Sequence, residues 1–387
     1  MSKNVVRLIC FISILCIGIN SNIVFASQEL PFDIESKSAL LLDFDSGQII
    51  YEKNADEKLP IASVTKIMTI LLVLESIEKG LISENDDVYV SAYAQSMGGS
   101  TAFLEEGEIF PVSTILKAII IASGNDASVA IAEKLSGSHE GFVQKMNQKA
   151  KELGMEDTIF TNCTGLPDEN HYSTARDVAI MSRELIRKPL FFKWSSIWLD
   201  DMRDGQTMLK NTNNLVRFYE GCDGIKTGYT KEAMHCISAT AKRNNLRLIS
   251  IILSGPTSKV RFGEASKLLD YGFANYDSIK LFTKDQELEE MEQIRVTGGK
   301  TDKIKGVVAS DFSVLLKRDT PQDFKFVLDI PDVLCAPIEK GEKIGSVKVI
   351  HLDDTIGEVD IVAAEDIKTA NLFDIFNKIV GRWLKRD

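Results

Sequence analysis

Three short constellations in this 387-residue chain could do chemistry. In Ser63-Val64-Thr65-Lys66 a hydroxyl and an amine stand at i and i+3, neighbours on one helical face. The lysine heads an apolar run, KIMTILLVLE, where a charge costs several kcal/mol unless it is paired or neutral. A serine hydroxyl at a first helical turn feels the positive end of the helix dipole, which favours a developing alkoxide. A neutral lysine can accept its proton, and burial or a second cation lowers a lysine pKa. Lys66 is therefore expected to lose its proton well below the ordinary lysine value. The pattern alone is ambiguous, because Ser76-Ile77-Glu78-Lys79 repeats it on the same helix. Ser123-Gly124-Asn125 and Lys226-Thr227-Gly228 are equally weak in isolation, and Ser83-Glu84-Asn85 shares the form of the first of them.

The elements that must position these residues are readable. SALLLDFDSGQIIYEKN, 38–54, predicts two short strands around the turn Asp45-Ser46-Gly47. A helix starts near Ser63, is apolar on nearly every face and so belongs in the interior, and ends at Gly80. Two more helical stretches are broken at Ser123-Gly124-Asn125, with Asp126 and Ser128 as candidate caps of the second. Thr174 is the candidate N-cap of another amphipathic helix. From Gly224 the period becomes that of strands, in GIKTGYT, HCISATAK and LRLISIILSG, with a hairpin turn at Arg243-Asn244-Asn245. Helices and an antiparallel sheet in one unit indicate an α/β or α+β layer fold. Residues 283–365 alternate in short runs between Gly and Pro and predict a small all-β module. In the tail 366–387, Leu372, Phe373, Phe376, Ile379, Val380, Trp383 and Leu384 recur at helical spacing, with Lys378, Arg382, Lys385 and Arg386 opposite or at the end. That is the pattern of a helix lying in a membrane interface, with its bases facing anionic headgroups.

Composition narrows the classes. Lys3 and Arg7, then an apolar run from Leu8 to Ile19, then Val24-Phe25-Ala26 predict an export signal spanning 1–26. The apolar run is about 12 residues, short of the 18 or more that span a bilayer. Its removal leaves 43 basic residues against 56 acidic, which argues against a nucleic-acid partner. The four remaining cysteines, Cys163, Cys222, Cys236 and Cys335, match no metal spacing; a pair such as Cys222–Cys236 is left open. With four unpaired histidines, a zinc enzyme is not expected, nor any other cofactor.

In this order, with 60 positions between the first two serines and 103 from Ser123 to Lys226, the three motifs become specific. The set resembles the penicillin-recognising serine enzymes, which carry S-x-x-K, S-x-N and K-T-G. LPIASVTKIMT, IIASGNDASVAIAE, HYSTARDVA and GIKTGYT are similar to the serine D-Ala-D-Ala carboxypeptidases among them, the low-molecular-mass penicillin-binding proteins. The resemblance is strong over about residues 30–280 and less specific beyond. It implies a β-lactamase/transpeptidase-like domain over 27–282, an antiparallel sheet flanked by helices with a helical subdomain. A small all-β domain and an anchoring helix would follow. Ser63 would form an acyl-enzyme with a peptidoglycan stem peptide ending in D-Ala-D-Ala, with Lys66 as base and Ser123 relaying a proton to the leaving D-alanine. Asn125 would hold the substrate amide. Lys226 would keep Lys66 neutral and orient Ser123. Thr227 would bind the terminal carboxylate beside Gly228, and the N–H groups of Ser63 and Tyr229 would form the oxyanion hole. β-Lactams would be covalent inhibitors, and the protein would act outside the cytoplasm, held on the membrane surface.

Three positions depart from the pattern. Tyr229 stands where some members carry His. Asn211-Thr212-Asn213 stands where some carry an arginine between the two asparagines, so carboxylate binding would lean on Thr227 and Arg261. Met234-His235 replaces small or aromatic residues. Two rivals compete. A class A β-lactamase needs a Glu-containing E-x-x-L-N loop, and the region holds TGLPDENHYSTA instead. A catalytically inactive wall-binding protein would not need the intact set Ser63, Lys66, Ser123, Asn125 and Lys226.

Overall fold

The computed structural model describes residues 31–288 and 294–384, without the side chains of 379–384; the expected export signal, 1–26, lies outside them. Strand-forming runs from the two ends of the catalytic segment meet in one sheet. β1 (Ser38–Asp43), β2 (Ile49–Lys53), β3 (Cys222–Thr230), β4 (Met234–Arg243) and β5 (Leu246–Gly255) are arranged β2-β1-β5-β4-β3, each pair antiparallel. The central β1 and β5 lack polar–apolar alternation because both of their faces are covered. Helices α1 (Lys66–Glu78), α2 (Val112–Ala122), α3 (Asn125–Ser136), α4 (His139–Glu152), α5 (Ala175–Ile186) and α6 (Ser258–Asn275) supply the cover. Gly272 of α6 lies against Leu41 and Leu248, while Leu40 and Leu42 face Ala179 and Ile180 of α5. Successive strand residues point to opposite faces, so α6 and α5 sandwich the sheet.

α1 is the hub predicted from its all-round apolarity, buried from Lys66 to Leu71 and packed among α3, α5 and their neighbours. Thr174 caps α5 as expected, accepting from the Asp177 N–H at 3.0 Å. The caps proposed for α3 differ. Asp126 turns away, accepting the N–H groups of Ala102 and Leu104, and Ser128 donates to the Gly124 carbonyl. Gly124 takes the cap position with no side-chain cap. All four described cysteines are free thiols, so Cys222 and Cys236 do not bridge.

The β-rich part begins earlier than the texture of the sequence suggested. Tyr276–Phe282 is a strand paired with Phe312–Lys317, so 276–282 belongs with the β module rather than with the helix before it. Bridges Gly299–Thr369 and Ile338–Ile367 carry the module past residue 365. Ile344, Val347, Val349, Val359 and Ile361 fill its core. α7 (Leu372–Leu384) follows.

Candidate active site

Ala62–Thr65 form a single 3-10 turn that runs straight into α1. At three residues per turn, side chains at i and i+3 eclipse, which stacks Ser63 over Lys66. Lys66 Nζ lies 3.0 Å from Ser63 Oγ, 2.5 Å from Asn125 Oδ1 and 2.7 Å from the Thr164 carbonyl. The Asn125 orientation is fixed by its own Nδ2, which donates to the Gly98 carbonyl at 2.7 Å. Both Oδ1 and the Thr164 oxygen can only accept. A neutral amine has two hydrogens and one lone pair. The two acceptors take the hydrogens, and the lone pair is left facing Ser63 Oγ. Lys66 is completely buried, and burial pulls its pKa down to about 7 against the upward pull of the Asp126 carboxylate.

The competing matches fail on geometry. Ser76 donates back to the Leu72 carbonyl, and Lys79 is exposed beside Glu75. Ser83 sits on an exposed turn, bonded to Asp86.

Ser123 occupies the left-handed position that ends α2, with φ +64°, and the Gly124 N–H reaches back to the Ala118 carbonyl. Glycine is the usual occupant of such a site, so a serine here holds strain of about 1 kcal/mol. Its hydroxyl is buried and has no hydrogen-bond partner among the described residues. The resemblance implied a contact from Lys226 to Ser123; instead Lys226 Nζ donates to the Thr227 carbonyl at 3.0 Å. Lys226 is itself buried and pushed well below the lysine range, by burial first and then by Lys66 and Arg261. Burial is the first cause that makes Lys66 a weak base, and Lys66 and Lys226 also repel one another.

β3 is the edge strand, and it crosses Ser63 at Gly228: a Cβ there would lie 3.0 Å from the Ser63 nitrogen and 2.7 Å from the Ile61 carbonyl. This close approach brings the main chain of Tyr229 beside the nucleophile. The Tyr229 ring is 61% exposed and stacks on His235, with centroids 4.5 Å apart. Thr227 is buried at the same edge. Arg261 reaches from α6, but Nη1 donates to the Gly228 and Cys236 carbonyls and Nη2 to Ser258 Oγ. It braces the β3–β4 pair, so the expected direct role in binding a carboxylate gains no support. Asn211 and Asn213 are likewise buried braces: Asn213 Nδ2 donates to the Gly224 carbonyl, and the Thr212 N–H to Ile121.

The segment 161–171 was not foreseen as part of the site. Asn162 Oδ1 accepts the N–H groups of Thr164 and Gly165, an Asx-type turn that aims the Thr164 carbonyl at Lys66. Gly165 has φ +81°, and a Cβ there would lie 1.9 Å from the Ala62 carbonyl. Its Asn and Gly residues were the available signal. The group of this loop that reaches Lys66 is the Thr164 main-chain carbonyl.

Residues 24–257 match the family described as D-alanyl-D-alanine carboxypeptidase. The chain belongs to that D-alanyl-D-alanine carboxypeptidase family. Residues 276–369 match a second description, the C-terminal domain of penicillin-binding protein 5, over the β module. The carboxypeptidase DacF of Bacillus subtilis is 42% identical over 91% of this chain and 90% of its own length. DacA of Escherichia coli is 31% identical over 88% and 85%. Among solved structures, penicillin-binding protein 5 of Haemophilus influenzae superposes with a TM-score of 0.76 at 31% identity, covering 88% of this chain and all of that one. Penicillin-binding protein D2 of Listeria monocytogenes, solved with ampicillin bound, gives 0.58 at 31% identity, covering 63% of this chain and all of that one. The α/β catalytic domain with its trailing all-β domain is thus a serine-type carboxypeptidase of the penicillin-binding kind. Nothing favours a β-lactamase or an inactive wall-binding protein.

Proposed function

We propose that Ser63 is the acylated residue and Lys66 its base, in a reaction that removes the terminal D-alanine from peptidoglycan stem peptides. The observation that carries this reading is the setting of Lys66 Nζ, 3.0 Å from Ser63 Oγ with its other two neighbours the acceptors Asn125 Oδ1 and the Thr164 carbonyl. Lys66 takes the Ser63 proton as Oγ adds to the carbonyl carbon between the two D-alanines. The N–H groups of Ser63 and Tyr229 receive the oxyanion. The C–N bond then breaks as the proton held by Lys66 passes through the Ser123 hydroxyl to the departing amine, which leaves Lys66 neutral again and an ester on Ser63. Water, deprotonated in turn, hydrolyses that ester and frees the shortened peptide. Lys226 and Thr227 take the terminal carboxylate, and the second Asn125 Nδ2 hydrogen takes the substrate amide. Amines serve as the acid–base groups, so no histidine is required.

β-Lactams mimic the scissile amide and would acylate the same serine. The charged and apolar start of the sequence supports export, which puts the enzyme outside the cytoplasm where peptidoglycan lies. Among the described residues no helix is long and apolar enough to cross a membrane. α7 would instead rest on the surface, since Leu372, Phe373, Ile375 and Phe376 are exposed. One base departs from the expected pattern: Lys378 donates to the Gly299 carbonyl and to Asp302, docking the helix on the β module rather than facing outward.

The test is labelling with fluorescent penicillin beside release of D-alanine from a diacyl-Lys-D-Ala-D-Ala peptide. Ser63→Ala should abolish both, and Ser76→Ala neither. A label that persists for minutes distinguishes the enzyme from a β-lactamase; absence of both signals in the wild type overturns the reading.

A further inference from the structure

We propose that His171 is a positioning residue that fixes the direction of the Lys66 lone pair, by tying the nucleophile turn to the loop that carries Thr164. The inference rests on the reading of Lys66 as the base. His171 Nδ1 lies 3.2 Å from the Thr161 nitrogen and 3.3 Å from Thr161 Oγ1. A main-chain N–H can only donate, so Nδ1 carries the lone pair and Nε2 the hydrogen. Nε2 then donates to Thr65 Oγ1 at 2.7 Å.

The two ends of this bridge matter. Thr65 immediately precedes Lys66 in the 3-10 turn. Thr161 opens the segment whose Thr164 carbonyl takes one Lys66 hydrogen and whose Gly165 backs the Ala62 carbonyl. The ring between them is buried and meets Phe160 edge-on at 5.8 Å. Asn162 closes the loop only on itself, through Thr164, Gly165 and Leu166. Other contacts steady the loop: Thr69 Oγ1 donates to the Cys163 carbonyl at 2.8 Å, the Cys163 N–H donates to His139 Nε2, and bridges Leu59–Ser173 and Ile159–Tyr172 hold its flanks; His171 joins it to the residue next to Lys66. If the Thr164 oxygen moves away, one Lys66 hydrogen loses its acceptor. The amine can then rotate, and its lone pair no longer faces Ser63 by default. Burial holds the imidazole neutral down to about pH 4, so the bridge keeps one tautomer throughout the range in which Lys66 titrates.

The test uses the full chain with His171→Asn, His171→Gln and Thr65→Val. Asparagine keeps the short reach to Thr161 but cannot span to Thr65. Glutamine presents an oxygen and an amide nitrogen spaced much like the two ring nitrogens. Thr65→Val removes the same bond from the other end, at nearly constant volume. Acylation by fluorescent penicillin is followed from pH 5 to 9, with kcat and KM on the diacyl peptide and a thermal melt of each variant. His171→Asn and Thr65→Val should lose about 10- to 100-fold in acylation and kcat, the size of effect that misplacement by an ångström produces, with KM within twofold. Their pH profiles should move upward as water reaches the loosened amine. His171→Gln should recover most of the rate. Wild-type acylation with an unshifted profile in folded His171→Asn or Thr65→Val overturns the proposal. So does a loss that glutamine fails to rescue and that tracks a rise in KM, which would mark a packing role. A wild-type chain that never labels on Ser63 removes the reading of Lys66 as base, and this inference with it.

Discussion

Lys66 is a buried amine with three neighbours and two hydrogens, and that shortage makes it a base. Its protonated form has a third hydrogen, which Ser63 Oγ at 3.0 Å is placed to accept, but then no lone pair remains for the serine proton. Acylation should therefore follow the neutral fraction. With the Lys66 pKa near 7, the rate should climb about tenfold per pH unit below that value and flatten above it. Stopped-flow labelling with fluorescent penicillin between pH 5 and 9 measures this. A flat profile down to pH 5, or one still rising at pH 9, contradicts it. At this scale the sequence was legible only at long range. Ser63-Lys66 and Ser76-Lys79 have equal spacing on one helix, and what separates them in space is Asn125 and Thr164, far away in the chain. The S-x-N and K-T-G motifs stood in for that geometry. They could not reveal that Lys226 bonds to its own neighbour, or that Arg261 braces strands, because neither contact leaves a spacing pattern.

Periodic elements were readable from the chain, and the aperiodic one beside the nucleophile was not. The all-round apolarity of α1, the Thr174 cap and the β4–β5 hairpin at Asn244 all follow from local signals. Asp126 misled because a capping residue and a loop anchor look alike in sequence; which N–H groups it meets depends on where 98–104 folds. The loop 161–171 has no period, and its function lies in one carbonyl and one glycine. Gly165→Ala should be severe, since the added Cβ collides with the Ala62 carbonyl in a backbone region that alanine also disfavours. A fall in acylation of at least about 100-fold is expected from that displacement of the turn. Gly154→Ala is the control: it has φ +76° and nothing within 4 Å, so it should lose about 1 kcal/mol of stability and leave acylation unchanged. Equal effects of the two on labelling would show that strain, not the collision, is what matters.

The molecule pairs a site built around α1 with a β module from which, among the described residues, no hydrogen bond reaches Ser63, Lys66 or Asn125. Sequence texture found the module but misplaced its edges. Strand Tyr276–Phe282 continues directly from α6, and its partner Phe312–Lys317 lies thirty-odd residues on, beyond local patterns. α7 carries large exposed rings. Phe373 is 70% exposed and Phe376 62%, large rings facing water on a helix that the module already holds. Replacing both with Ser should abolish sedimentation with anionic phospholipid vesicles. D-alanine release from a soluble peptide should stay within twofold of wild type. Vesicle binding that survives the double change would assign attachment elsewhere.

The tie between Lys378 and Asp302 then has a mechanical consequence. A helix joined to its domain by a slack linker would let the enzyme wander on a tether, sampling wall material at many heights. A helix held by one amine that meets both a carboxylate and a main-chain carbonyl behaves more like a bracket. It ties the orientation of α7 to that of the β module. The β module could not then swivel about its own terminal helix, and any surface that held α7 would hold the module at one angle.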